Sequence, residues 1–279
     1  MEDMTVRGAR IWASSFLKEY QREERVAELM LMHILGVSRS EFLAMQRDEL
    51  PRDQYDTFVE WVSEHAKTGK PLEHFTGVTE FYSRDFLVNE HVLIPRPETE
   101  ELIEALLQKL DNPETFVDLG TGSGIIAVTL KQAWPEASVY ATDISEEALA
   151  VAKKNSTELE ADVQFFQGDF LKPILEKGLE PDVVVSNPPY IPYSKRDQLS
   201  STVMHDPEQA LFADDDGLAA YQQITEQVLQ LPTRPELVAF EIGHDQGETV
   251  PRLIHQQDPN ASIQVIKDIN GKNRIVLWE

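Results

Sequence analysis

Apolar residues recur at helical spacing through the first 70 residues. Ala9 to Tyr20 and Arg22 to Leu35 form two amphipathic stretches, the second with Val26, Leu29, Met30 and Ile34 on one face. Gly36 is a natural stop. Ser38 with Glu41 three residues on has the form of a capping box and opens a short helix. Pro51 suits the first turn of another helix. There Tyr55, Phe58, Val59, Val62 and Ala66 share a face before Gly69 ends it. No strand pattern interrupts this region, so residues 1–70 are predicted to form a small all-α domain.

The period then changes. Phe81-Tyr82 and Phe86-Leu87-Val88 flank Ser83-Arg84-Asp85 and predict a hairpin. Val92-Leu93-Ile94 is a short extended piece, and Pro95-Arg96-Pro97 punctuates it. Residues 71–96 are thus a hairpin linker, followed by a helix from Glu98 to Leu110. From Thr115 onward strand and helix alternate. Strands are predicted at Thr115–Leu119, Ser138–Thr142, Val163–Gln167, Asp182–Ser186 and Glu236–Ile242. Helices are predicted near 123–134, 145–157, 216–231 and 246–257. Alternation of this kind builds a mostly parallel sheet covered on both faces. Ser262–Lys267 and Arg274–Trp278 flank Asn270-Gly271, a hairpin signal, so the last strand is expected to enter antiparallel. Residues 97–279 form the second domain on this reading.

Charge and composition narrow the function. The chain has 279 residues and a formal charge of -24. Residues 1–70 hold 10 Lys/Arg against 13 Asp/Glu, and the remaining 15 and 36 lie beyond them. Such a field repels a phosphate backbone, and there is no Lys/Arg cluster of the kind that overcomes it. With 0 Cys, a disulfide scaffold, a Cys-ligated zinc and thiol catalysis are excluded. The seven His make no pair at metal-ligand spacing, so no metal is expected. The start Met-Glu-Asp-Met is acidic where a signal peptide would be basic, and no run reaches the length of a membrane span. The expectation is a soluble, cytoplasmic protein.

Val117-Asp118-Leu119-Gly120-Thr121-Gly122-Ser123-Gly124 runs from a strand through a Gly-rich turn into a helix. Glycines there permit positive φ and close approach of a ligand to the backbone. The position three after Gly122 is Ile125, so the dinucleotide fingerprint fails, and the Gly-Lys-Ser/Thr of a P-loop is absent. A Gly-x-Gly-x-Gly turn after an acidic strand end is similar to the nucleoside loop of S-adenosyl-L-methionine methyltransferases; the alternative is a plain tight turn. Asp143 ends the next strand, where a carboxylate reaches ribose hydroxyls in doubly wound sheets. It is equally placed to cap a helix, as is Ser145. Asp169 is a candidate acceptor for an adenine amino group, with Phe170 against the ring; the pair also reads as a polar turn with a core aromatic.

Asn187-Pro188-Pro189-Tyr190 follows the strand Val183-Val184-Val185-Ser186. Two prolines fix the backbone and remove two N–H donors. What remains is rich in acceptors, the Asn187 side-chain oxygen and the Pro188 carbonyl. An NH₂ group offers two protons, so two acceptors at fixed spacing orient it. Tyr190 adds an aromatic face.

This motif after such a Gly loop resembles amino methyltransferases acting on adenine, cytosine or glutamine nitrogen. The pieces Val92-Leu-Ile-Pro-Arg-Pro-Glu-Thr-Glu100, Asn187-Pro-Pro-Tyr-Ile-Pro192, Asp216-Gly-Leu218 with Tyr221, and Glu241-Ile-Gly-His-Asp-Gln-Gly247 resemble the PrmC/HemK family. Asp206-Pro207 stands where members commonly carry Glu-Pro. The resemblance implies a class I S-adenosylmethionine-dependent fold, Rossmann-like, with seven mostly parallel strands and an antiparallel last strand. It implies a helical substrate-recognition domain and a hairpin linker. It also implies S-adenosyl-L-methionine as cofactor and class I peptide chain release factors as protein substrates, methylated on the glutamine N5 of their Gly-Gly-Gln loop. Gly120, Thr121, Gly122, Ser123, Gly124, Asp143, Asp169, Phe170 and Asn187 are then the cofactor side, and Asn187, Pro188, Pro189 and Tyr190 the substrate side. No direct nucleic-acid or membrane partner is expected. An adenine-N6 nucleic-acid methyltransferase and a non-catalytic cofactor-binding scaffold are the competing readings.

Overall fold

The computed structural model describes residues 4–279; the acidic start at Met1–Asp3 lies outside the described residues. The chain divides into two units. One runs to Gly77 and takes in Ser200–His205; the other holds Val78–Leu199 and Asp206–Glu279.

The first unit is helical: α1 Val6–Glu19, α2 Val26–Leu35, α3 Arg39–Ala44, α4 Arg52–Thr68 and a short α5 Glu73–Thr76. The predicted signals act as read at several ends. Gly36 and Gly69 close α2 and α4 in the left-handed conformation, and Ser38 and Glu41 make both halves of a capping box. Pro51 sits one residue earlier than predicted, at the N-cap of α4. Helix α2 starts at Val26 rather than Arg22, whose guanidinium bonds elsewhere. Its Nε donates to the Ala66 carbonyl at 3.2 Å and its Nη1 to Ser201 Oγ at 2.8 Å. Val6, Ala9, Ala13, Leu17, Met30, Phe42, Phe58 and Val62 make the buried core of this unit.

In the second unit, β1 Val78–Phe81 and β2 Arg84–Leu87 form the antiparallel hairpin. Its turn is Tyr82-Ser83, not Ser83-Arg84-Asp85. Both turn residues take positive φ, the geometry that suits the strand twist in a two-residue loop. Among the described residues, Val92–Ile94 pairs with no strand. There follow α6 Pro97–Lys109, β3 Thr115–Leu119, α7 Ile125–Ala133, β4 Ser138–Asp143, α8 Glu146–Glu158, β5 Val163–Gln167, a short α9 Lys172–Glu176 and β6 Val183–Ser186. Between 191 and 218 come short pieces that no periodicity announced. These are β7 Ile191–Pro192, a 3-10 helix at Tyr193–Gln198, another at Val203–His205 in the stretch that belongs to the first unit, α10 Glu208–Leu211, β8 Phe212–Ala213 and α11 Asp214–Gly217. The chain ends with α12 Ala219–Val228, β9 Leu237–Glu241, α13 Thr249–Gln257, β10 Ile263–Lys267 and β11 Asn273–Trp278.

The seven-stranded sheet has the order β10-β11-β9-β6-β3-β4-β5. Neighbours from β9 to β5 are parallel, and β11 is antiparallel to both β9 and β10, as expected of the last strand. Strand side chains alternate between the two faces. Phe116, Val183, Val185, Leu237, Ala239, Ile275 and Leu277 enter the core beneath α6 and α7. Val117, Val184, Val238, Phe240, Val276 and Trp278 enter the core beneath α12 and α13. Continuous apolar runs at these strands are therefore two interleaved faces, each buried.

Gly124, the N-cap of α7, has φ of 83°, and a Cβ there would sit 3.0 Å from Ala152 Cβ and 3.2 Å from its Cα on α8. Gly124→Ala combines left-handed strain with overpacking against backbone, and is expected to lower unfolding stability by roughly 1–3 kcal/mol. Urea denaturation of the two proteins measures this; a midpoint unchanged within error contradicts it.

Candidate active site

Parallel pairing puts the carboxyl ends of four strands at one level. Leu119 pairs with Thr142 on one side and Ser186 on the other, and Ser186 pairs with Phe240. The next residues, Gly120, Asp143, Asn187 and Glu241, therefore form a single rim. Ligands of open α/β sheets bind outside this edge.

An open-sided cavity of about 920 Å³ lies against it. Gly120, Thr121, Gly122, Ser123, Asp143, Asp169, Phe170, Asn187 and Pro189 all line it. Gly124, Pro188 and Tyr190 do not: Gly124 spaces α7 from α8, Pro188 is buried, and Tyr190 packs on the core. Leu93, Thr99, Ile144, Ala148, Gln209 and Ala210 also line the cavity and were not singled out from the sequence.

The Gly-rich turn is held from below and open above. Thr121 N donates to the Thr142 carbonyl at 2.9 Å, and Thr121 Oγ1 donates to Asp118 Oδ2 at 2.6 Å. Asp118 is buried, also accepts from Ala127 N at 3.2 Å, and keeps Oδ1 without a hydrogen-bond partner. Burial pushes its carboxyl up to about 7, against the two hydrogen bonds that lower it. Gly122 has φ of 55° and nothing within 4 Å of where a Cβ would stand, so its backbone is bare toward the cavity.

Asp143 spans two loops. Its Oδ2 accepts from Gly122 N and its Oδ1 from Ser145 N, both at 2.9 Å. Helix α8 is capped by Ser145, whose side chain accepts from Ala148 N. A carboxylate offers about four lone-pair sites, so Asp143 keeps room to accept from a ligand hydroxyl. Burial raises its pKa, opposed by these backbone donors. Asp169 Oδ2 accepts from Lys172 Nζ and Gln223 Nε2, both at 2.5 Å. Phe170 takes a left-handed φ of 51° beside Gly120.

The loop after β6 is locked by partners far along the chain. Gln246 Nε2 donates to the carbonyls of Tyr190 at 3.2 Å and Gly217 at 3.1 Å, while its Oε1 accepts from Gly243 N at 2.9 Å. A Cβ on Gly217 would meet the Tyr190 carbonyl oxygen at 2.2 Å, so only glycine permits this approach. Tyr221 OH donates to the Glu241 carbonyl at 2.9 Å. Burial raises the Tyr190 phenol to about 12, so it stays protonated. Arg96 points to buried Asp206 at 2.7 Å, and Asp206 also accepts from Ile94 N at 3.3 Å. Asp206 thus pins the Pro95-Arg96-Pro97 segment.

Family models agree with both halves of the chain. One described as "PrmC N-terminal domain" matches residues 8–77, and one described as "Methyltransferase small domain" matches residues 98–216. The protein called release factor glutamine methyltransferase in Bacillus cereus is 44% identical, over 99% of this chain and 99% of that one. Its namesake in Bacillus subtilis is 44% identical over 95% and 94%, and that of Moorella thermoacetica 40% identical over 92% and 91%. Among solved structures, the hMettl16 catalytic domain in complex with a MAT2A 3'UTR hairpin reaches a TM-score of 0.55 at 15% identity, covering 82% of each chain. That likeness is one of fold, the class I S-adenosylmethionine-dependent methyltransferase fold. Similarity to relatives 40% or more identical along nearly all of both chains settles membership: this chain belongs to the PrmC/HemK family of release factor glutamine methyltransferases.

Proposed function

We propose that the chain transfers a methyl group from S-adenosyl-L-methionine to the glutamine N5 of the Gly-Gly-Gln loop in class I peptide chain release factors. The observation that carries this reading is the shared cavity. The Gly-rich turn, Asp143 and Asn187 line one space, so a nucleoside-bearing donor and an amide acceptor can meet there. The bare backbone at Gly122 and the remaining acceptor capacity of Asp143 suit the cofactor. When bound, S-adenosyl-L-methionine supplies an already activated methyl group.

The chain's own residues then have three tasks: to orient the substrate amide, to raise the electron density on its nitrogen, and to exclude the wrong substrate. The Asn187 oxygen, on the cavity wall, accepts from one amide proton of the substrate glutamine, and the Pro188 carbonyl is the second acceptor this reading requires, although the residue itself is buried outside the cavity lining. This orients the nitrogen and raises its electron density, which matters because the amide lone pair is delocalised. Positioning of this kind accounts for several kcal/mol of barrier, roughly 7–11 at the upper limit for ideal alignment, and fixed acceptors need no reorganisation during reaction. The protonated amide formed is strongly acidic and releases its proton to water, so no side-chain base is required. The third task is exclusion of the wrong substrate. A charge of -24 disfavours a nucleic-acid substrate. No described helix is long and apolar enough to cross a membrane, in keeping with a cytoplasmic enzyme that works on a protein. Residues 1–70 act in substrate recognition, through the helical unit.

Methyl transfer from labelled cofactor to a purified release factor, to a Gly-Gly-Gln peptide and to DNA tests the assignment. Label is expected on the glutamine of the first two; label on DNA alone overturns it. Asn187→Ala is expected to abolish transfer with cofactor affinity nearly unchanged, and retained wild-type turnover removes the role given to Asn187. Asp143→Ala is expected to weaken cofactor binding by roughly 1.5–3 kcal/mol, the scale of hydrogen bonds to a charged group. Calorimetry that finds equal affinities reduces Asp143 to a loop tether. A chain lacking residues 1–77, if folded, is expected to lose more kcat/KM on an intact release factor than on the peptide. Equal fractional losses leave the helical unit no part in recognition.

A further inference from the structure

Asn187 serves an amino group in only one of its two amide orientations. With Oδ1 toward the substrate it accepts; turned over, it presents its own NH₂, and donor meets donor. Its neighbours settle the choice. Glu241 stands beside Asn187 on the adjacent strand, each one residue past the pair Ser186 and Phe240. Glu241 and Thr99 are both buried, and Thr99 lines the cavity from the first turn of α6. Thr99 Oγ1 donates to Glu241 Oε2 at 2.7 Å and accepts from Asn187 Nδ2 at 3.4 Å.

Charge sets the direction of this chain. An ionised carboxylate only accepts, so Thr99 must direct its single proton to Glu241. Its lone pairs are then left for Asn187 Nδ2, and Asn187 Oδ1 faces away from Thr99. A protonated Glu241 releases the constraint. It can donate to Thr99, whose own proton then turns to Asn187 Oδ1, and the amide reverses.

We propose that Thr99 and Glu241 are positioning residues, and that ionised Glu241, through Thr99, holds the Asn187 oxygen toward the substrate amide. The proposal rests on the function given above. It makes turnover depend on a proton that the chemistry itself does not use.

The groups facing Glu241 define where that proton titrates. Arg274 comes from β11, Arg96 and Glu98 from the start of α6, Tyr190 from the loop after β6 and Tyr221 from α12. Burial raises Glu241 to about 7; Thr99, Arg274 and Arg96 oppose this and Glu98 adds to it. Both tyrosines are raised well away from neutrality and stay neutral. Stability and turnover must then run in opposite directions. A carboxyl raised from 4.5 to about 7 contributes its full stability below 4.5 and loses it as pH rises to about 7. Turnover needs the ionised form, so kcat falls as pH drops through about 7.

The test measures kcat and KM on the Gly-Gly-Gln peptide from about pH 5.5 to 9, with cofactor affinity by calorimetry, a window set by the carboxyl at about 7. Wild type is compared with Thr99→Ser, Thr99→Val and Glu241→Gln. Thr99→Val is expected to lower kcat about tenfold at high pH, roughly 1.4 kcal/mol of barrier. Cofactor affinity should be unchanged, and Thr99→Ser should restore most of the rate. The acid limb of kcat should be present in wild type and absent in both Thr99→Val and Glu241→Gln. Asp118, also raised to about 7, is intact in these variants, so a limb that survives in them belongs to it and overturns the proposal. Wild-type kcat in Thr99→Val does the same. If Thr99→Val does not fold, Glu241→Gln alone decides through its limb. A wild-type protein that methylates no Gly-Gly-Gln substrate ends the functional assignment itself, a result separable from any variant's.

Discussion

Everything at the site depends on the register of the parallel strands. Residues paired across β4, β3, β6 and β9 stop at the same height, and the four that follow them form the rim beside the cavity. A slip by one residue would reverse which face each side chain enters. The two buried layers forbid it, because Phe116 and Val117, Val184 and Val185, or Val238 and Ala239 would each exchange cores. Packing therefore fixes the positions of Asp143, Asn187 and Glu241 to a fraction of a residue.

Placement along the strand leaves loop shape to be decided, and here the control is non-local. Asn155, buried on α8, accepts from Leu87 N at 2.7 Å and donates to the carbonyls of Leu87 at 3.0 Å and Ser123 at 2.8 Å. One side chain thus ties the hairpin to the Gly-rich turn. Gln246 does the same for the Pro-Pro loop, joining Tyr190, Gly217 and Gly243. Both are amides, able to donate and accept at once. A carboxylate in either position would lose two of the three contacts named, the two in which the amide nitrogen donates.

These tethers mark the boundary of what the sequence discloses. The seven strands are legible because each is a short β-branched or aromatic run between turn signals, and the helices because their apolar faces repeat. The Gly-rich turn and Asn187-Pro188-Pro189-Tyr190 are legible because their oddity is local. Residues 191–218 are not, since pieces of two to six residues carry no period. Helix α12 begins at Ala219 and not at 216 because Asp215 and Asp216 take positive φ, which nothing in their type requires. The Tyr82-Ser83 turn likewise lacks the Asn-Gly signal of its geometry. Thr99 and Glu241 lie 142 residues apart, and only the sheet brings them together. An Asn in the buried stripe of α8 was a usable signal, because a polar side chain there must find partners.

Carboxylates show how one residue type is divided between support and chemistry. At the edge away from the cavity, Asp182 accepts from Glu114 N at 3.1 Å and Thr115 N at 2.8 Å, joining the starts of β3 and β6 with its charge partly in solvent. At the cavity edge Asp118 and Glu241 are buried, and desolvation outweighs the hydrogen bonds each receives. A fold selected only for stability would replace both with apolar or amide side chains, since a buried carboxyl without full compensation is destabilising. Asp118 even keeps one oxygen unpartnered. Asp118 and Glu241 both stand at the carboxyl-end rim of the sheet, whereas Asp182 keeps an ordinary, partly solvated role at the opposite edge. The stability given up at that rim is supplied by the two apolar layers behind it, which run from Phe116 to Trp278.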